Sequence, residues 1–165
     1  MIVAAHAGTG KTTFAKLYPD IVIDFVAMPY KYYLRDSDNP EPEKSKASYS
    51  ILDMQLDWPE NYFEAIKKIL GEQKIVLIPP VMPVLTLLGQ EQIPYVLCYP
   101  ERGAKEVYRK RYADRGNTDE FLSIFVDDWD FFLDSFENDT HGKHIVMQPH
   151  QYLSDVIDIP TLLDG

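Results

Sequence analysis

The chain has 165 residues, 45% of them apolar and 25% charged, with a formal net charge of −10 and a pI of about 4.7. That length suits one domain, residues 1–165, with a real core, and the acidic balance argues against non-specific binding to nucleic acid or anionic membranes. The lone cysteine, Cys98, excludes an internal disulfide framework and fits a reducing cytoplasm.

The first strand is predicted at Ile2–Ala5. His6-Ala7-Gly8-Thr9-Gly10-Lys11-Thr12-Thr13 follows at once, and a helix is expected from Lys11 to about Tyr18, ended by Pro19. No signal peptide is visible, because Met1 leads straight into the strand. The β-branched run Ile21–Val26 reads as strand two, with Asp24 near its end.

Residues 28–57 carry no strong periodicity and read as a loop or small substrate lobe, with aromatic and basic residues (Tyr30, Tyr33, Arg35) at its start. Asp57, Pro59 and Glu60 are expected to open a helix by a capping box, and Gly71 to stop it. Strand three, Lys74–Ile78, is closed by Pro79-Pro80. A short helix at Pro83–Gly89 and strand four, Pro94–Tyr99, follow. The apolar region from Val81 to Tyr99 is broken by Gln90-Glu91-Gln92 and by prolines, so it does not read as a membrane span.

Six of the sixteen Lys/Arg residues then fall within the fourteen positions 102–115: Arg102, Lys105, Arg109, Lys110, Arg111 and Arg115. Gly116 ends this basic helix, and Asn117 is expected to cap the next, with Glu120 completing a capping box. In that next helix Phe121, Phe125, Trp129, Phe132 and Phe136 form an apolar stripe, a core face backed by solvated acids. Ile145–Met147 is strand five, and Gln151–Ile157 a last short helix. Alternating strands and helices of this kind predict an α/β domain with a parallel sheet.

The stretch Ala5–Thr12 reads as A-x-x-x-x-G-K-T, a phosphate-binding loop with Ala5 where the usual pattern has Gly. Gly8 and Gly10 permit positive φ, so backbone N–H groups of residues 7–13 can turn towards phosphate oxygens at the start of a helix. Lys11 brings a mobile charge to the β- and γ-phosphates, and the Thr12 hydroxyl is placed to hold Mg²⁺. Asp24 is the best-placed acid, either for Mg²⁺ through water or for a substrate hydroxyl proton; the alternative is an acid pairing with a loop N–H. Arg111 and Arg115, four apart on one helix face, can reach one phosphate group; the alternative is a solvated helix paired with Glu106 and Asp114. Arg102 is a weaker candidate. Tyr30, Tyr33 and Arg35 offer stacking and charge to a nucleotide substrate, or else simply pack the lobe. His6, inside the loop, reads as shaping it alone.

Together these pieces resemble the P-loop small-molecule kinases, the nucleoside monophosphate kinase and shikimate kinase group. The likeness spans nearly the whole chain in element order and is sequence-specific only at Ala5–Thr12. It implies a three-layer P-loop NTPase fold with five strands in the order 2-3-1-4-5, ATP with Mg²⁺ on Ala7–Thr13, a strand-two acid at Asp24, and a lid at about 101–116 carrying Arg111 and Arg115. The departure is Ile78-Pro79-Pro80, where an acid or arginine motif is common in nucleotide kinases. The expected activity is phosphoryl transfer from ATP to a small acceptor, a nucleotide or nucleoside. The alternatives are a nucleotide-binding regulatory module with little turnover, and an NTPase acting on nucleic acid, which the acidic charge and the missing strand-three acid disfavour.

Overall fold

The structure is a computed structural model that describes residues 1–34, 52–72 and 74–164. Its central strand, β1 (Ile2–Ala5), is wholly apolar and buried on both faces. Such a run belongs in the middle of a parallel sheet covered on both sides. Seven strands occur among the described residues: β1, β2 (Val22–Asp24), β3 (Tyr32–Leu34), β4 (Leu52–Met54), β5 (Ile75–Ile78), β6 (Tyr95–Pro100) and β7 (Lys143–Met147). β1 pairs in parallel with β5 and β6, β2 lies outside β5, and β7 outside β6, all parallel.

The five-stranded sheet therefore reads β2-β5-β1-β6-β7, which differs in number from the expected 2-3-1-4-5. That expectation counts five strands in the chain. β3 and β4 form a separate antiparallel pair within 28–57 and advance the number of every later strand by two. Their three-residue strands are too short to announce a hairpin by alternation.

Helices cover both faces, and the pleat of β1 divides the core in two. Ile2 and Ala4, with Val76, Ile78 and Leu97, pack under α3 (Glu60–Leu70), α4 (Met82–Gln90), α5 (Lys105–Asp114) and α7 (Trp129–Glu137). Val3 and Ala5, with Ile75, Leu77 and Cys98, pack under α1 (Lys11–Leu17) and α8 (Leu153–Val156). Three further short helices are α2 (Met28–Lys31), α6 (Asp119–Leu122) and α9 (Ile159–Asp164).

Two expected caps move. α3 begins at Glu60 with Pro59 as its cap residue, so Glu60 is the first helical residue and no capping box forms; the Asp57 carboxylate instead accepts from Asn61. α6 is capped by Thr118, whose hydroxyl accepts from the Phe121 N–H, while Asn117 accepts from Arg115. The expected single helix after Asn117 is broken into α6, a π-helical turn at Ser123–Asp127, and α7. The aromatic stripe survives the break, because Phe121 stacks on Phe125 and Phe125 on Phe132.

α7 offers a direct test of which face carries the core. Leu133 is fully buried, while Phe131 is 71% exposed. Leu133→Ala is expected to cost about 2–5 kcal/mol in chemical denaturation, through lost transfer energy and an unfilled cavity. Phe131→Ala should stay within about 0.5 kcal/mol of the wild type.

Candidate functional site

The site lies where β1 runs into α1. Gly8 has φ +81° and Gly10 φ +92°, conformations that L side chains rarely adopt. Space is tight as well: a Cβ on Gly8 would stand 2.9 Å from Cε1 of the buried Tyr112, and one on Gly10 3.1 Å from Cδ1 of Tyr152. Thr9 is buried; its hydroxyl donates to the His6 carbonyl at 2.7 Å, and its own carbonyl accepts from the Leu153 N–H. Among the described residues, the N–H groups of Gly8, Gly10 and Lys11 donate to no backbone carbonyl.

A cleft of about 520 Å³ opens over this turn. Ala7, Gly8, Gly10, Lys11, Thr12 and Thr13 line it from the turn; Arg111, Asp114, Arg115, Phe121 and Tyr152 line it from α5 and beyond. Lys11 Nζ donates to the carbonyls of Ala5 at 2.6 Å and His6 at 3.2 Å. Its pKa falls to about 8, with burial as the main cause, Asp24 pulling the other way and the Arg115 charge adding to the fall. The Thr12 hydroxyl donates to Asp24 Oδ2 at 2.6 Å, bringing two oxygen-bearing side chains from α1 and β2 together.

The basic helix divides by face. Arg109 pairs with Glu106 and Lys110 with Asp114, both on the exposed side. Arg111 turns inward, its guanidinium 4.6 Å from the Tyr108 ring centre and 4.1 Å from that of Tyr152. It donates to the carbonyls of Gly8, Pro149 and Gln151 and so ties α5 to the glycine turn and to the segment after β7. Arg115 donates to Asn117 and lies 5.5 Å from the Tyr112 ring centre. Thus Lys11, Arg111 and Arg115 share one cleft.

Arg102 does not join them. Asp130, Asp134 and Glu137 hold it at 2.9, 2.7 and 2.8 Å, and the three carboxylates, Asp134 first, raise its pKa. α7 carries those acids on the face opposite its apolar stripe, so a nearby guanidinium is captured there. Tyr30 packs against Phe25 and Tyr62, and its carbonyl accepts from Asn61. Tyr33 is exposed in β3, opposite Asp53 of β4. Arg35 lies outside the described residues.

Sequence reasoning missed Tyr112, Phe121 and Tyr152 as parts of the site, and Asp114 as a cleft residue. Their only signal is spacing, since Tyr112 lies one residue after Arg111 and three before Arg115. His6 is fully enclosed, its ring within 6 Å of those of Phe125, Trp129 and Phe136. Burial, with a smaller contribution from Lys11, lowers its pKa to about 3. No protein-family model matches this chain, and no curated protein matches it either.

His6 predicts an acid limb. Between pH 6.5 and about 3 the unfolded imidazole binds a proton that the folded one refuses, so stability falls as pH falls through that window. Denaturation of the wild type and of His6→Gln across this range should diverge, the wild type losing up to about 1.4 kcal/mol more per pH unit.

Proposed function

We propose that this chain is an ATP-dependent phosphotransferase acting on a small acceptor, a nucleotide or nucleoside, and that its sheet is the P-loop kinase arrangement. The observation that carries this reading is the convergence of Lys11, Arg111 and Arg115 on one cleft over a turn whose glycines hold positive φ. The N–H groups of Gly8, Gly10 and Lys11, which donate to no backbone carbonyl among the described residues, add donors of the kind that cradle phosphate oxygens. In an acidic chain, such a concentration of positive charge calls for an anionic ligand.

The residues present also fit Mg²⁺. Among the described residues no group of three or more His, Cys, Asp or Glu converges to hold a metal unaided. The oxygens of Thr12 and Asp24 suit a hard cation whose remaining ligands are phosphate oxygens and water. When bound, that ion would neutralise charge between the β- and γ-phosphates.

Within this reading, Lys11 leaves the Ala5 and His6 carbonyls to pair with phosphate oxygens. Arg115 balances charge on the phosphoryl group in transfer, and Arg111 holds the turn and contributes its field. Asp24 holds water or accepts the acceptor's proton. The protein's work is positioning and electrostatic stabilisation. Solubility and a cytoplasmic site of action accord with this chemistry, and no helix among the described residues is long and apolar enough to cross a membrane.

A second reading, a nucleotide-binding regulatory module, is favoured by the Pro79-Pro80 end of β5, which offers no acid, and by the commitment of Arg111 to three carbonyls. The two separate in an assay of ADP release with ATP and Mg²⁺ over a panel of nucleosides, nucleoside monophosphates and sugars. Acceptor-stimulated release supports the kinase; tight ATP binding without stimulation supports the module. Release stimulated only by DNA or RNA would turn the reading towards a nucleic-acid NTPase.

Lys11→Ala is expected to abolish transfer while leaving the thermal midpoint near that of the wild type. Turnover at the wild-type rate would sink the kinase reading. ATP affinity of the wild type should be level up to pH 8 and decline above it by up to about tenfold per unit, because Lys11 must carry its proton to pair with phosphate. Titration calorimetry on Lys11→Met should show that decline removed.

A further inference from the structure

Tyr112 reaches several parts of the site at once. It is fully buried on α5, and its hydroxyl donates to the Ala7 carbonyl at 2.9 Å. The same oxygen lies 3.2 Å from Nε2 of His6. Its ring roofs Gly8, and the Arg115 guanidinium lies 5.5 Å from the ring centre.

Counting protons fixes the direction of these contacts. A phenol has one proton, and a carbonyl can only accept. With that proton on the Ala7 oxygen, the contact to His6 is a hydrogen bond only when Nε2 carries a proton and Tyr112 accepts it. His6 therefore carries a proton at Nε2, and its enclosure by Phe125, Trp129 and Phe136 keeps the ring neutral.

Holding the Ala7 carbonyl also fixes the Gly8 N–H, because the two groups lie on opposite edges of one planar trans peptide. We propose that Tyr112, oriented by His6, is a positioning residue: it sets the Ala7–Gly8 peptide so that the Gly8 amide is presented to an anion, and it registers Arg115 to the same point. This role rests on the reading of the turn as a phosphate site. The apolar face of Trp129 and its neighbours then has a use beyond packing, since it keeps His6 neutral while the Tyr112 hydroxyl sets its tautomer.

Tyr112→Phe keeps the ring over Gly8 and removes only the hydroxyl. The expected result is a thermal midpoint close to wild type, displaced Gly8 and Gly10 amide resonances in the nucleotide-free protein, and MgATP binding weakened about tenfold by calorimetry. His6→Gln, which can still donate an N–H to the Tyr112 oxygen, should keep wild-type resonances and an affinity within about twofold of wild type. His6→Leu should reproduce Tyr112→Phe. Wild-type resonances and affinity in both Tyr112→Phe and His6→Leu overturn the proposal. Should Tyr112→Phe fail to fold, identical spectra and affinity for His6→Gln and His6→Leu overturn it equally. A wild-type protein that binds no MgATP overturns the phosphate reading instead, and the amide resonances then still decide whether Tyr112 sets the turn.

Discussion

The turn from β1 into α1 must pass beneath three tyrosines, and much of the site follows from that fit. Gly8 lies against Tyr108 and Tyr112, and Gly10 against Tyr152. A side chain at either position would meet both a forbidden φ and a tight space. The parallel sheet makes the meeting possible: β1, β6 and β7 are neighbours, so the segments leaving their carboxyl ends arrive at one edge. Arg111 then closes the arrangement with bonds to Gly8, Pro149 and Gln151. α5 is anchored to the turn through these bonds and through the buried rings of Tyr108 and Tyr112.

Charge is distributed with the same economy. A chain of net charge −10 places three cations around one cleft, while nearby acids pair with Arg102, Arg109 and Lys110. Arg109 and Lys110 pair with acids on their own helix, contacts of small energetic weight at the surface. Arg102 is held by three carboxylates of the α7 region, and its backbone carbonyl accepts from the Trp129 indole. That cluster fastens the start of the basic segment to α7 and leaves its later residues to face the turn.

Much of the fold was legible in the sequence because its three central strands are unbroken apolar runs. Ile2–Ala5, Ile75–Ile78 and Tyr95–Pro100 are buried on both faces and are bounded by glycine, proline or polar residues. The glycine turn was legible because spacing alone prescribes it. β3 and β4 were not, since each has three residues and their pairing is decided by contacts remote in sequence. The caps at Asp57 and Asn117 were misplaced because Pro59 and Thr118 compete within two residues, and only backbone conformation separates them. Arg102 was misassigned because its partners lie about thirty residues away on α7. His6 carried no periodic signal, and its enclosure depends on aromatic residues more than a hundred positions later.

Cys98 sits opposite Ala5 of β1 and Ile145 of β7, in the middle of the sheet, with its thiol pushed up to about 12 by burial. It has neither exposure nor thiolate character while the sheet is closed. A thiol reagent can therefore reach it only after α1 and α8 have lifted from that face of the sheet. The labelling rate becomes a direct gauge of how often the helix layer of α1 and α8 opens, read from one atom and without any engineered probe. Because the glycine turn hangs from β6 through the His6 N–H bond to the Cys98 carbonyl, any ligand that steadies the turn will be felt as slower labelling.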